Sequence, residues 1–226
     1  MMSDLDLIRQ LEKRIGRKLE EIDEERFGDN SQKITGNAYA LSQEGELIGL
    51  CLQTINRNKL LDFPFHQFKK LLHLYLRGIP FTSFIFLKDL TGLISLDLSA
   101  NQISDYSFLS ELTGLTTLDL SHNQISDYSV LRDLTGLTTL DLRYNQIADI
   151  SFLSELTGLT TLNLSNNKIT DISVLSELTG LTSLDLSYNQ IADISFLSDL
   201  TGLTTLGLSG NQIADISFLS ELTGLT

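Results

Sequence analysis

The sequence predicts an α/β repeat solenoid, and three observations support this prediction. A 22-residue unit occurs six times, with copies that begin at Leu90, Leu112, Leu134, Leu156, Leu178 and Leu200. Each unit contains two leucines that alternate with polar residues, which is typical of a half-buried strand. An asparagine follows at a fixed position, where the chain leaves the strand. Because one coil cannot bury its own leucines, the coils are expected to stack and share one core.

The repeated pattern L-x-x-L-x-L-x-x-N-x-I resembles the leucine-rich repeat. That resemblance implies a horseshoe of 22-residue units, with a parallel sheet on the concave side and short helical turns on the convex side. The N-terminal region is expected to cap the stack with a helix and a hairpin. Leu5, Ile8, Leu11, Ile15 and Leu19 have helical spacing, with Gly16 inside the predicted helix.

Four segments are predicted. Residues 1–45 form the N-terminal cap, an amphipathic helix plus the first strand of a hairpin whose turn lies near Gly45. Residues 46–89 are two degenerate repeats, residues 90–221 are six regular repeats, and residues 222–226 begin a truncated repeat. An open core at Thr226 is unusual in a soluble protein, which favours a fragment of a longer chain.

Two polar columns are interpreted as structural. The amides of the asparagine column can satisfy backbone groups at the turn, and it comprises Asn101, Asn123, Asn145, Asn167, Asn189 and Asn211. The aspartate column can cap a helical turn on the convex side, and it comprises Asp105, Asp127, Asp149, Asp171, Asp193 and Asp215.

Charge argues against several classes of partner. The net charge is −13, and residues 90–226 hold 16 acidic but only 3 basic residues. Such a surface repels nucleic acid and anionic membranes, so we expect a protein partner. The lone Cys51 and the absence of an apolar leader favour the cytoplasm.

Catalytic and metal sites are not expected. The histidines are scattered, and the common nucleotide, zinc-protease and redox motifs do not occur. His73 and His122 fall on the polar face of their strands, where solvated side chains explain them better than metal binding does. We therefore predict no catalytic residue, no metal ligand and no cofactor in this segment.

Binding is predicted on the concave side, where the repeats differ most. The candidate residues are Tyr75, Arg77, Asp97, Asp119, His122, Asp141, Arg143, Tyr144, Asn166, Asp185 and Tyr188. Two interpretations of the aspartates among them stay open. They are either a soluble filler copied by duplication, or a line along which Tyr144 and Tyr188 anchor a basic segment of the partner.

The N-terminus carries a second resemblance. Residues 2–12, M-S-D-L-D-L-I-R-Q-L-E, followed by Gly16 and by L-E-E-I-D at 19–23, resemble the start of bacterial Roco GTPases. This implies an interaction and regulatory module that contacts the GTPase and dimerisation domains of its parent. GTP or GDP and Mg²⁺ would then bind outside this segment. The alternative to a Roco module is an internalin-like surface adhesin. The 226-residue fragment itself is expected to be monomeric or weakly self-associating.

Overall fold

The computed structural model describes residues 2–28, 34, 36–60, 62–81, 84–103, 105–125 and 128–225, apart from the side chain of Phe218. Asp127 of the aspartate column and Thr226 lie outside these residues. The chain divides into two compact units, Met1–Leu115 and Thr116–Thr226. They are called unit 1 and unit 2 below. The segment boundaries predicted from sequence remain a prediction.

Unit 1 contains five consecutive strands that pair in chain order. They are β1 (Glu20–Glu21), β2 (Ala38–Leu41), β3 (Leu47–Gln53), β4 (His73–Arg77) and β5 (Ser95–Asp97). The pairing of β2 with β3 is antiparallel, and the others are parallel. The predicted hairpin is therefore present, with Gly45 in its turn at φ +80°. Strand β1 was not predicted.

Unit 2 contains five parallel strands, one from each coil. They are β6 (Thr117–Asp119), β7 (Thr139–Asp141), β8 (Thr161–Asn163), β9 (Ser183–Asp185) and β10 (Thr205–Gly207). Each strand is followed by a 3₁₀ turn, at Ser129–Asp133, Ser151–Glu155, Ser173–Glu177, Ser195–Asp199 and Ser217–Glu221. Matching leucines pair across the strands, such as Leu140 with Leu162. The repeat fold predicted from the 22-residue period is confirmed.

Helix α1 spans Asp4–Ile15 and ends earlier than predicted. The side chain of Ser3 accepts a hydrogen bond from the Asp6 N–H and caps its start. Gly16 adopts the left-handed conformation at φ +72° and donates its N–H to the Glu12 carbonyl, which terminates the helix. The prediction that the helix continues through Gly16 to Leu19 is therefore wrong. A one-turn helix, α2 (Glu25–Gly28), follows β1.

The asparagine column joins adjacent coils in the way that Asn189 illustrates. Its Nδ2 donates to the carbonyls of Leu164 and Leu186, and its Oδ1 accepts from the Ile169 N–H. Asn189 is buried, so these bonds replace water for three backbone groups. Asn145 and Asn167 repeat the arrangement.

The aspartate column caps the 3₁₀ turns. The Oδ1 atom of Asp171, for example, accepts the N–H of Ser173 at 2.9 Å. This hydrogen bond is the main reason that the pKa of Asp171 lies below its ordinary value. The same bond occurs at Asp105, Asp149, Asp193 and Asp215.

Candidate functional site

One column of side chains in unit 2 occupies an unusual backbone conformation. It consists of the residue before each asparagine of the asparagine column, and its members His122, Tyr144, Asn166, Tyr188 and Gly210 all have φ between +54° and +71°. We call it the left-handed column. Residues other than glycine seldom adopt this conformation, since their Cβ crowds the following carbonyl. The sequence did not reveal this property.

The left-handed conformation extends the pairing between coils beyond the strand. The N–H of Tyr144 donates to the Ser165 carbonyl at 3.0 Å, and the N–H of Asn166 donates to the Ser187 carbonyl at 2.8 Å. His122 makes the equivalent bond to Arg143. Because both sides of each bond belong to the coil backbones, the column is held on a rigid support.

The aromatic members of the left-handed column are open to solvent. Tyr144 is 49% exposed and Tyr188 is 61% exposed, although tyrosine usually buries most of its ring. The His122 and Tyr144 rings stack with centroids 4.2 Å apart and planes 14° from parallel. An exposed aromatic pair on a rigid backbone is a characteristic contact surface for a protein partner.

The predicted line of aspartates in unit 2 comprises Asp119, Asp141 and Asp185, and we call it the acidic line. It lies beside the left-handed column, on the side of the sheet opposite the leucine core. We call this side of the sheet the strand face. Oδ1 of Asp119, Asp141 and Asp185 each accepts the N–H two residues later, at 2.8, 3.0 and 2.9 Å. Asn163 makes the same bond to Ser165, so an acceptor oxygen, rather than a charge, is what the turn requires. The aspartates therefore have a structural role, which neither of the two interpretations from sequence had included.

Positively charged side chains are unevenly distributed along the acidic line. Arg143 Nε lies 3.3 Å from Asp141 Oδ2. Among the described residues, no lysine or arginine lies within 4 Å of the carboxylate of Asp185. The β9 end of the line thus retains more negative character than the β7 end.

The candidate residues of unit 1 lie in a different environment. Tyr75 is 7% exposed and Asp97 is 5% exposed, so neither can form the open surface predicted for them. The Tyr75 hydroxyl donates to the Phe27 carbonyl, while Arg77 pairs with Asp97 and donates to the Ile34 carbonyl. The physical reason is that Ile22, Phe27 and Ile34, which belong to the described residues between α1 and β2, pack on the strand face of unit 1.

Phe27 is the central contact of this covering segment. Its ring lies 5.5 Å from the Tyr75 ring and 6.2 Å from the His73 ring, and Ile22 and Ile34 share its cluster. His73 is buried, which corrects the prediction that it is solvated, and burial lowers its pKa. Isolated apolar residues at 22, 27 and 34 within a charged stretch were the signal that sequence reasoning missed.

Metal binding has no support in the described part of the chain. There, no group of three or more histidine, cysteine, aspartate or glutamate side chains is arranged to hold a metal ion. Cys51 is buried, and burial raises the pKa of its thiol. None of the helices among these residues is both long enough and apolar enough to span a membrane.

A comparison of the sequence with models of known protein families identifies the family of this chain. The model described as "Leucine Rich repeats (2 copies)" matches residues 91–133, 135–177 and 179–221, which is more than half of the chain. The chain belongs to the leucine-rich-repeat family. Stacks of such repeats are protein-interaction modules that present one long surface to a partner. A search of the curated proteins found no match.

Solved leucine-rich-repeat structures resemble most of this chain. Internalin C2 of Listeria monocytogenes is 30% identical, with a TM-score of 0.75 over 97% of this chain and 89% of that one. The internalin inlF of the same organism is 33% identical, with a TM-score of 0.65 over 72% of this chain. The present chain spans 55% of that internalin.

A plant structure shows a leucine-rich-repeat domain with a bound partner. It is the ectodomain of the Arabidopsis thaliana receptor kinase GASSHO1/SCHENGEN3 in complex with Casparian strip integrity factor 2. It is 25% identical, with a TM-score of 0.61 over 69% of this chain and 20% of that one.

Proposed function

We propose that the chain is a non-catalytic recognition module that binds a basic segment of a protein partner on the strand face of unit 2. The observation that carries this proposal is the exposed pair Tyr144 and Tyr188, held at left-handed positions beside an acidic line. Tyrosine combines a large contact area with a polar end and loses little conformational entropy on binding. The strand face of unit 1 is left out, because the segment around Phe27 covers it.

Charge supports a basic partner. Residues 90–226 carry 16 acidic and 3 basic residues. The field of this surface accelerates the approach of a cationic segment and opposes that of a polyanion. Binding is therefore expected to weaken as salt rises, since exposed charge pairs are screened within about 10 Å at 0.1 M ionic strength.

Two kinds of longer protein are candidates for the parent of this module. The resemblance of residues 2–23 to Roco proteins favours a cytoplasmic arm that contacts a GTPase and its dimerisation domain, and GTP or GDP with Mg²⁺ would bind outside these 226 residues. The similarity to internalins favours the alternative predicted from sequence, an internalin-like bacterial surface adhesin. The native gene product isolated at full length separates them: nucleotide binding supports the Roco setting, and its absence contradicts that setting.

The binding proposal is tested by selection from a displayed library of random peptides. We expect the selected peptides to be rich in basic residues and to bind a Tyr144→Ala/Tyr188→Ala variant at least tenfold more weakly. Ile216→Ala is a matched control, because Ile216 is also 61% exposed but precedes a 3₁₀ turn. Peptides without basic enrichment, or equal binding to the tyrosine variant, would contradict the proposal.

A further inference from the structure

The coil that contains β10 has glycine at two positions where the other coils of unit 2 carry larger residues. Gly207 pairs with Asp185 in the register of the acidic line, and Gly210 follows Tyr188 in the left-handed column. In the other coils of unit 2, the first position holds aspartate or asparagine, and the second holds histidine, tyrosine or asparagine. The strand face of the β10 coil therefore has no side chain of its own at either position.

Side chains of the preceding coil occupy the space that these glycines leave. A Cβ at Gly210 would lie 2.6 Å from Cδ1 and 3.1 Å from Cε1 of Tyr188, so the tyrosine ring lies over Gly210. A Cβ at Gly207 would collide with Oδ1 of Asp185 and lie 2.9 Å from its Cγ, so the carboxylate lies over Gly207. Carbon atoms in contact stay about 3.5–4 Å apart. Any larger residue at either glycine must therefore displace the group above it.

The equivalent ring and carboxylate two coils earlier already have partners within the chain. The Tyr144 ring stacks on His122 with centroids 4.2 Å apart. The Asp141 carboxylate has Arg143 Nε 3.3 Å from its Oδ2. A basic side chain of a partner would have to compete with His122 for this ring and with Arg143 for this carboxylate.

The ring and carboxylate over the β10 coil have no such competitors among the described residues. There, no aromatic ring stacks on Tyr188, which is 61% exposed, and no lysine or arginine lies within 4 Å of the Asp185 carboxylate. Aromatic faces and carboxylates both attract cations. We infer that Gly207 and Gly210 are positioning residues, which hold this carboxylate and this ring where a basic side chain of the partner binds. This inference rests on the proposed function.

The positions of the two groups are tested first without a ligand, by NMR of the full 226-residue chain. Nuclear Overhauser effects should connect the ring protons of Tyr188 with the Hα protons of Gly210. Since this measurement needs no substitution, it does not depend on the folding of any variant. An absence of these effects would show that the ring does not lie over Gly210, and would overturn the inference.

Binding is then measured by titrating each variant with a tri-arginine peptide. Gly207→Ala and Gly210→Ala should each bind it about two- to fivefold more weakly than the unmodified chain, as expected for the loss of one exposed cation contact. Ala100, at φ +56°, shows that alanine is accepted in the conformation of Gly210. Gly78→Ala is the matched control and should not change binding. Gly78 has φ +59°, and a Cβ there would lie no closer than 3.7 Å to its neighbours.

Double variants show whether each glycine acts through the group above it. Gly210→Ala should weaken binding no further in a Tyr188→Ala background. Gly207→Ala should weaken it no further in an Asp185→Asn background, in which the acceptor oxygen of the turn is kept, as at Asn163. Equal fold losses in the unmodified chain and in these backgrounds would mean that the glycines do not act through the ring and the carboxylate, and would overturn the inference.

The failure of this inference is distinguishable from the failure of the proposed function. Equal tri-arginine binding by the unmodified chain and both glycine variants, with weaker binding by Tyr144→Ala/Tyr188→Ala, would overturn the inference and leave the proposed function intact. An absence of tri-arginine binding would also overturn the inference, while binding of display-selected basic peptides would still support the proposed function. If neither kind of peptide binds, both proposals are wrong.

Discussion

Phe27 occupies the space in which any side chain at Gly49 would stand. A Cβ built on Gly49 would lie 2.5 Å from Cδ2 of Phe27, well inside contact distance. Gly49 is in the middle of β3, where glycine normally weakens a strand, so its use there is explained by the close approach of the ring. This contact fixes the covering segment on the strand face of unit 1.

We predict that Gly49→Ala destabilises the protein by about 1–3 kcal/mol, because the added methyl group overpacks the site. The free energy of unfolding from urea titration measures the effect. In a Phe27→Ala background the same substitution should cost much less, since the ring that it meets is gone. Equal costs in the two backgrounds would show that Phe27 is not the obstacle.

Asn189→Ala should destabilise unit 2 by about 2–4 kcal/mol, because two buried carbonyls and one N–H lose their partner and each orphaned group costs about 1–3 kcal/mol. Gln190→Ala is the matched control, since its side chain is exposed and one residue away. That control should change the unfolding free energy by less than about 0.5 kcal/mol. Similar losses for both variants would contradict the role given to the column.

The repeat fold was predictable because each coil repeats the same local requirements. Leucine spacing fixes the buried face, and an asparagine such as Asn189 bonds only to backbone of its own and the preceding coil. The covering of Tyr75 was not predictable, because it depends on Phe27, which is 48 residues away and has no periodic pattern. The left-handed column was missed since residues as different as Tyr188 and Gly210 share its conformation.

The left-handed conformation of Tyr188 reverses the usual order of stability, in which an alanine variant is more stable than a glycine variant. At φ +57° a Cβ costs about 1 kcal/mol or more, so Tyr188→Gly should be more stable than Tyr188→Ala by about that amount. In strand β8 the order should reverse, with Thr161→Ala more stable than Thr161→Gly by about 0.5–1 kcal/mol. Thermal or urea unfolding of the four variants checks both differences.

The burial of His73 predicts a pH dependence of stability. Its pKa in the folded chain lies below the ordinary value of 6.5, chiefly because burial disfavours the charged ring. The unfolded chain therefore takes up a proton first as pH falls through 6.5, and the free energy of unfolding declines from there until His73 of the folded chain is protonated as well. The loss from this group is at most about 1.4 kcal/mol per pH unit.

His73→Gln should flatten that decline between pH 7.5 and 5.5, whereas His66→Gln, at an exposed position, should leave it unchanged. Unfolding free energies measured every half pH unit provide the comparison. A decline of the same slope in His73→Gln and in the parent chain would assign the pH dependence to other groups.

The central claim is that the partner binds the strand face of unit 2, and its most direct test is a map of the contact surface. A basic peptide obtained by display selection is titrated into the isotope-labelled full chain, and amide shifts are assigned. The account predicts shifts concentrated at residues 119–122, 141–144, 163–166 and 185–188. Shifts concentrated on α1 or on the 3₁₀ turns, with the left-handed column unaffected, would contradict it.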